Sequence, residues 1–500
     1  MSTNKHFSRR NFLKLSALAA SGAVLTACGA QATAAPTAAP VAPATSAPVA
    51  APTTAPVVQP TAVPPTAVPQ PTATTAPAPA EIVKFRSSIW GGSTDKQIWD
   101  AIAADFNTAF SSKYQITTEQ YVETSGTGSY YDKIKAGIAS GTAPDAWYMQ
   151  GFGWGPYADN KVIRPIDDLI KRDNFAAVPD FENYHYNCEW HGQTYLVPED
   201  NGSVIMFYNK DVFDLFGEPY PQEGWTYQDF KTKVQKLSGM KNGTQYYGFA
   251  NAGGWSGIYA RAMHWLRKEG ALEWDKIVEP KTAQFLDDSI VEALQFTIVD
   301  ATNNKWCPSP AALQGGGLSI ASGQVAMTYE GPWYLPSMVG PNAVKKGGVN
   351  FDVIHMPYGK SGKDETVAEI AGFEINVATQ YVDAAWEWLK FQTTDGAQKH
   401  IAEGGRMCGN PDAINKIWSP IVQPLYNFKN TKYFAEAMKT GRSPLINGEG
   451  ADLFTMMLTG TPLGVAWDAM SNGTSAKEAL TAANPLCQKI LDDYWAKKAS

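Results

Sequence analysis

The sequence predicts an α/β fold divided into two lobes. Two observations predict it. About 420 residues follow a proline-rich stretch that ends near residue 80, more than a single hydrophobic core usually serves. Between Ile82 and Met149 the apolar pattern alternates as strand, helix, strand, helix, strand, the order that builds a parallel sheet with helices on its faces.

Ile82 to Trp90 reads as the first strand. Thr94 with Gln97 three residues on has the spacing of a capping box, and Ile98, Ile102, Phe106 and Phe110 then recur every four residues along one helix face. Tyr114 to Val122 is the second strand; Tyr130 to Ser140 is a helix carrying Tyr131, Ile134 and Ile138 and stopping at Gly141; Ala146 to Met149 is the third strand. Ligands of such sheets sit at the carboxyl ends of the strands, where Trp90-Gly91-Gly92-Ser93 and Gln150-Gly151-Phe152-Gly153-Trp154 lie. Val204 to Tyr208 is a strand entering a second region, followed by helices near 226–237, 256–269, 287–303, 381–393 and 474–497. In the third of these, Ile290, Leu294 and Ile298 mark the core face.

The N-terminus reads as an export address. Lys5, Arg9, Arg10 and Lys14 precede an apolar run that ends in small residues, the order of a secretory signal. Ser8-Arg9-Arg10-Asn11-Phe12-Leu13-Lys14 resembles the twin-arginine motif, and Leu25-Thr26-Ala27-Cys28 resembles a lipoprotein box. The expectation is a signal peptide over 1–27 and a lipid on Cys28, which would anchor the chain to the membrane without spanning it. Residues 29–80 are dominated by Ala, Pro, Thr and Val and contain no charged residue. Such a segment cannot bury a core and favours polyproline II, so 28–80 reads as a tether.

The chain carries a formal charge of −7, and removing the signal, with four basic and no acidic side chains, leaves −11. An acidic chain without a basic run is a poor partner for nucleic acid. Besides Cys28 there are Cys188, Cys307, Cys408 and Cys487, enough for two disulfides in any of three pairings. Twin-arginine export would require folding before any disulfide forms.

Several segments, in order, resemble the family-1 extracellular solute-binding proteins, the maltose-binding-protein group. They are Tyr131-Asp132-Lys133-Ile134 through Ala139-Ser140-Gly141-Thr142-Ala143-Pro144-Asp145; Val162 to Leu169; Gly192 to Pro198 with Phe207-Tyr208-Asn209-Lys210-Asp211-Val212-Phe213; Ala321 to Met327 with Gly331-Pro332-Trp333; and Ala371 to Asn376 with the helix Ala384 to Phe391. The resemblance implies a periplasmic-binding-protein type II fold, with lobe 1 formed by 81–200 plus about 370–415 and lobe 2 by about 201–369 plus 416–500. A hinge would close the interlobe cleft on a carbohydrate, which is passed unchanged to the membrane subunits of an ABC importer. It implies a monomer, no catalysis and no cofactor.

Sugars expose C–H patches beside hydroxyls, so a site for them pairs aromatic faces with multidentate polar groups. By the resemblance, Trp333 matches a sugar-stacking tryptophan and Trp255, in Asn251-Ala252-Gly253-Gly254-Trp255-Ser256, a second aromatic contact. Trp90 and Trp154 are candidates by their place at strand ends. Trp386 and Trp388 lie in a helix and read as packing. Polar candidates are Asp200, Asn201, Glu330 and Arg406. The first two follow Pro198 at the first expected lobe crossing, although counting back from Tyr208-Asn209 lands on Gly202. Asp145 reads as a brace for its own turn. His185, Cys188 and His191 have a zinc-like spacing without an evident fourth ligand; Asn187 to Pro198 reads instead as a hairpin turning at His191-Gly192, and no metal is expected. No phosphate loop or nucleophile elbow is present. The competing functional readings are a binder of a polyol phosphate or peptide, and a secreted carbohydrate-active enzyme.

Overall fold

β1 (Val83–Trp90), β2 (Tyr114–Tyr121) and β3 (Ala146–Gln150) form a parallel core in the computed structural model, with β1 pairing β2 from Val83↔Tyr114 to Trp90↔Tyr121 and β3 at Ser87↔Ala146. The structure describes residues 81–121, 128–251, 263–313, 318–339, 343–362, 365–443, 448, 451, 456–457 and 460–500. Arg9, Arg10, Cys28 and the tether lie outside the described residues, as does Trp255. No helix among the described residues is long and apolar enough to cross a membrane.

Helix α1 (Ser93–Ala109) follows β1, and α2 (Gly128–Ser140) follows β2. The start of α1 differs from the expected box at Thr94 and Gln97. The cap residue is Gly92, and the Oδ2 of Asp95 accepts its N–H at 2.8 Å. Asp95 folds back over Gly91, whose φ is +118°, and a Cβ there would fall 2.3 Å from the Asp95 carboxylate. Only glycine allows that turn.

After β3 the chain makes the hairpin β4 (Glu189–Trp190) and β5 (Gln193–Thr194). Its turn residues, His191 and Gly192, have φ of 49° and 74°, the double positive φ of a type I′ turn. Two strands then run almost head to tail. β6 (Val197–Ser203) belongs to a six-stranded sheet, and β7 (Ile205–Asn209) is the centre of a three-stranded one, with Val204 alone between them. A small ribbon of β8 (Gly239–Lys241) and β9 (Thr244–Tyr246) follows. β10 (Met327–Glu330) and β11 (Phe351–Ile354) flank β7 antiparallel, after which β12 (Ala368–Ile375) and β13 (Met407–Cys408) return to the first sheet. The sheet orders are β13-β6-β12-β3-β1-β2 and β10-β7-β11.

β3 shows how burial on both faces reads in sequence. Ala146 and Tyr148 pack with α1 and the helix Val382–Phe391, while Trp147 and Met149 face a second core shared with β6, β7 and the rest of the chain. A strand covered on both sides is a continuous apolar run, here Ala-Trp-Tyr-Met. Trp386 and Trp388 are fully buried, and so are Ile290, Leu294 and Ile298. The four cysteines are buried free thiols, with no disulfide among them. Burial pushes the thiols of Cys307, Cys408 and Cys487 up to about 12, which makes them poor nucleophiles.

Candidate functional site

The switch from β6 to β7 brings the two sheets' polar residues together. Trp333 lies in the short turn Pro332–Tyr334 just beyond β10. Its ring rests on glycine backbone on two sides: a Cβ at Gly202 or at Gly331 would fall 2.2 Å from a ring carbon. Its indole N–H donates to Glu330 Oε2 at 3.1 Å, and the residue stays 40 % exposed. Gly202, where the count back from Tyr208 lands, is therefore the seat of this ring. Glu330 itself is buried at the end of β10, paired with Ile205.

Two residues upstream of Gly202, Asp200 anchors a second cluster. Arg406 donates from Nε to Asp200 Oδ2 at 2.6 Å, from Nη1 to Asp95 Oδ1 at 2.9 Å and from Nη2 to the Tyr148 hydroxyl at 2.7 Å. Nη2 also pairs with Asp200, and the Tyr148 hydroxyl donates to Asp200 Oδ1 at 3.1 Å. The guanidinium lies 5.9 Å from the ring centre of Trp90 and 5.4 Å from that of Tyr148, and those two rings stack at 6.3 Å. Burial works against the charge on Arg406, but Asp200, Tyr148 and Asp95 together hold it protonated well above its ordinary range. At Asp200 burial pushes the carboxyl up, and Arg406 pulls it back.

Glu199 is fully buried beside this cluster, and neither carboxyl oxygen has a hydrogen-bond partner among the described residues. Burial, then the charge of Asp200, pushes it well above the usual carboxylate range. The backbone explains its place. Asp200 pairs with Ala371 but Pro198 with Gly372, so Glu199 is the extra residue of a bulge in the crossing strand.

Other expected contacts sit elsewhere. Asn201 is buried, with Nδ2 donating to the Tyr184 hydroxyl at 3.1 Å, which in turn donates to Gly409 O at 2.9 Å. Trp154 corrects the expectation drawn from its position. It has no exposed surface, its indole N–H donates to Asn187 O at 2.8 Å, and its ring packs against Trp190 and Tyr195. The chain after β3 folds back inward, so closeness in sequence to a strand end does not bring this side chain to an opening. Asp145 does not brace its own turn: its carboxylate accepts from Arg86 N in β1 at 2.8 Å and from Thr379 Oγ1 beyond β12 at 2.7 Å, tying the turn to two neighbouring segments. His185 pairs with Glu189 and Asp180, while Cys188 is buried in the core.

Asp95, Tyr148 and Glu199 belong to the cluster but were not singled out in the sequence. Asp95 adjoins the conspicuous Trp90–Ser93 loop, which was a usable signal. Tyr148 carries none, because a tyrosine inside an apolar strand reads as packing.

The family model for the bacterial extracellular solute-binding protein matches residues 90–399, more than half of the chain. A stretch of 158 residues is 28 % identical to the sn-glycerol-3-phosphate-binding periplasmic protein of Escherichia coli strain K12, covering 30 % of this chain and 33 % of that protein, so the match spans a third of the relative's length. The fold is similar to that of an ABC substrate-binding protein from Listeria monocytogenes solved in complex with cycloalternan, with TM-score 0.67, 19 % identity, and 82 % and 100 % of the two chains covered. It is similar again to the cyclic α-maltosyl-1,6-maltose binding protein of Arthrobacter globiformis, with TM-score 0.66, 18 % identity, and coverage of 83 % and 100 %. The chain belongs to the bacterial extracellular solute-binding protein family and has its two-lobed α/β fold, with a hinge and an interlobe cleft.

Proposed function

We propose that this chain captures a carbohydrate outside the cytoplasm and delivers it, chemically unaltered, to the membrane subunits of an ABC importer. The observation that carries the reading is Trp333: a large aromatic left 40 % exposed on a bed of glycine backbone, where the chain passes from one sheet to the other. An aromatic face beside fixed carboxylates suits the alternating C–H and hydroxyl surface of a sugar. Trp333 and Trp90 supply faces, joined by Trp255 from the segment after Asn251. Glu330, Asp200 and Asn201 supply hydrogen bonds, together with the one Nη1 N–H of Arg406 that Asp95 leaves over.

The lobes are 81–200 with about 370–415, and about 201–369 with 416–500. Solute gripped by both halves favours the closed form, because only closure makes both sets of contacts. The protein works as a monomer tethered by lipid on Cys28 after twin-arginine export. Four buried free thiols support that route, since the fold needs no oxidation to form.

A panel of mono- and oligosaccharides tested by thermal shift should contain a ligand that raises the melting temperature. Trp333→Ala should then weaken its binding by about 1–3 kcal/mol; unchanged affinity in a folded variant removes Trp333 from the site. Bound sugar should be recovered intact, and appearance of a cleaved product would contradict a transport role. Cys28→Ser should move the protein from the membrane to the soluble fraction, and persistent membrane association would refute the anchor. The name of the Escherichia coli relative favours a second reading, a polyol phosphate as the solute.

A further inference from the structure

Phosphate ester and neutral sugar make opposite demands on a site, and Arg406 decides between them. A phosphate-binding arginine presents its planar fork of N–H groups to the anion. The fork of Arg406 is already occupied. Nε and Nη2 face Asp200, Nη1 faces Asp95, and Nη2 also reaches the Tyr148 hydroxyl. All three nitrogens are engaged, and two of the three partners are carboxylates. An incoming dianion would have to displace a carboxylate and then lie beside it. Like charges a few ångströms apart in a partly dry site repel strongly.

The arrangement is fixed as well as filled. Asp95 also caps α1 through Gly92 N at 2.8 Å and packs closely against the backbone of Gly91. Asp200 is held between Arg406 and Tyr148 on a strand paired on both sides by β12 and β13. The guanidinium is stacked near Trp90 and Tyr148, so the cluster forms a wall beside the aromatic faces.

We infer that Asp95 and Asp200 are specificity-determining residues: by holding Arg406 they make the site reject phosphate esters and accept an uncharged polyhydroxylated solute. The inference rests on the reading that the region between Trp90 and Trp333 binds solute.

The test is calorimetric titration of the full chain with sn-glycerol 3-phosphate, inorganic phosphate and the carbohydrate panel. The wild type should give no saturable binding with either phosphate compound at millimolar concentration. Asp95→Asn keeps an acceptor for Gly92 N but removes the charge, and should gain about tenfold or more in affinity for sn-glycerol 3-phosphate. Asp200→Asn should do the same by opening the other edge of the fork. Adding Arg406→Gln to either should abolish the gain, which a general loosening of the site would not do. Binding of sn-glycerol 3-phosphate by the wild type overturns the inference, even if neither variant folds. So does the absence of any gain in folded Asp95→Asn and Asp200→Asn. If no carbohydrate binds while the variants still gain phosphate affinity, the sugar reading fails and the charge filter stands. If a carbohydrate and the phosphate ester both bind the wild type, the filter fails and the sugar reading stands.

Discussion

Arg267 and Arg406 both pair with carboxylates away from bulk water, but their surroundings differ. Arg267 donates from Nε to Glu273 Oε2 at 2.8 Å, pairs again through Nη2, and donates from Nη1 to Ser443 O at 3.1 Å. Its side chain is 1 % exposed and that of Glu273 is 0 %. Arg406 keeps 13 %, with 10 % at Asp200 and 24 % at Asp95. The first pair is sealed, so no solute can touch it, and its role is to fix the packing around Met263–Arg267. The second lies at the joint between sheets with aromatic rings beside it. The same chemistry is structural in one place and open to ligand in the other, and access makes the difference.

Breaking the sealed pair should give the largest effect. Arg267→Met leaves Glu273 buried and uncompensated, which typically costs about 3–5 kcal/mol. Urea unfolding should show that loss, and a loss under about 1 kcal/mol would mean the pair relaxes to solvent and the contrast with Arg406 is false. Arg267→Met with Glu273→Leu should recover much of it, since an apolar pair of similar volume is often as stable as the ions.

A smaller effect tests the open region. Gly202→Ala places a methyl where the Trp333 ring now lies, 2.2 Å from a ring carbon. Either ring or strand must shift, at about 1–3 kcal/mol for an overpacked contact. Thermal unfolding should register the strain, and sugar affinity should fall with it because the aromatic face moves. If both stay at wild-type values, Trp333 is not seated as described and its rank as first contact is lost.

The reason Gly202 carries this weight explains how much of the molecule could be read in advance. β1, α1, β2, α2 and β3 were legible because each is a local pattern of period two or nearly four. The hairpin at His191-Gly192 was legible because turn chemistry is local too. The site is assembled from residues far apart in the chain. Arg406 meets Asp95 across 311 positions and Asp200 across 206, and no periodicity encodes such a pairing. Resemblance carried attention to Trp333 and Asp200, and the loop at Gly404-Gly405 to Arg406, but neither could say that both ends of the guanidinium already face carboxylates. Trp154 fails for the opposite reason: its place in sequence beside a strand end was read correctly, but the direction of the following turn buries it.

The smallest effect concerns Glu199 and is read as a slope. The folded chain holds this carboxyl protonated well above the ordinary glutamate value of 4.5. Between that value and its folded one, the unfolded chain binds fewer protons than the folded chain. Stability from this residue is therefore fully present below 4.5 and is lost as pH rises through the folded value. Glu199→Gln mimics the neutral acid and cannot ionise. Near pH 4 the variant should match the wild type to within about 0.5 kcal/mol, and the difference should then grow in the variant's favour as pH rises. At Asp200 burial also raises the carboxyl, with Arg406 opposing it, so Asp200→Asn should trend in the same direction but more weakly. Parallel stability curves for wild type and Glu199→Gln from pH 4 to 9 would show that Glu199 is solvated or ion-paired. The bulge would then have no electrostatic consequence beside the solute site.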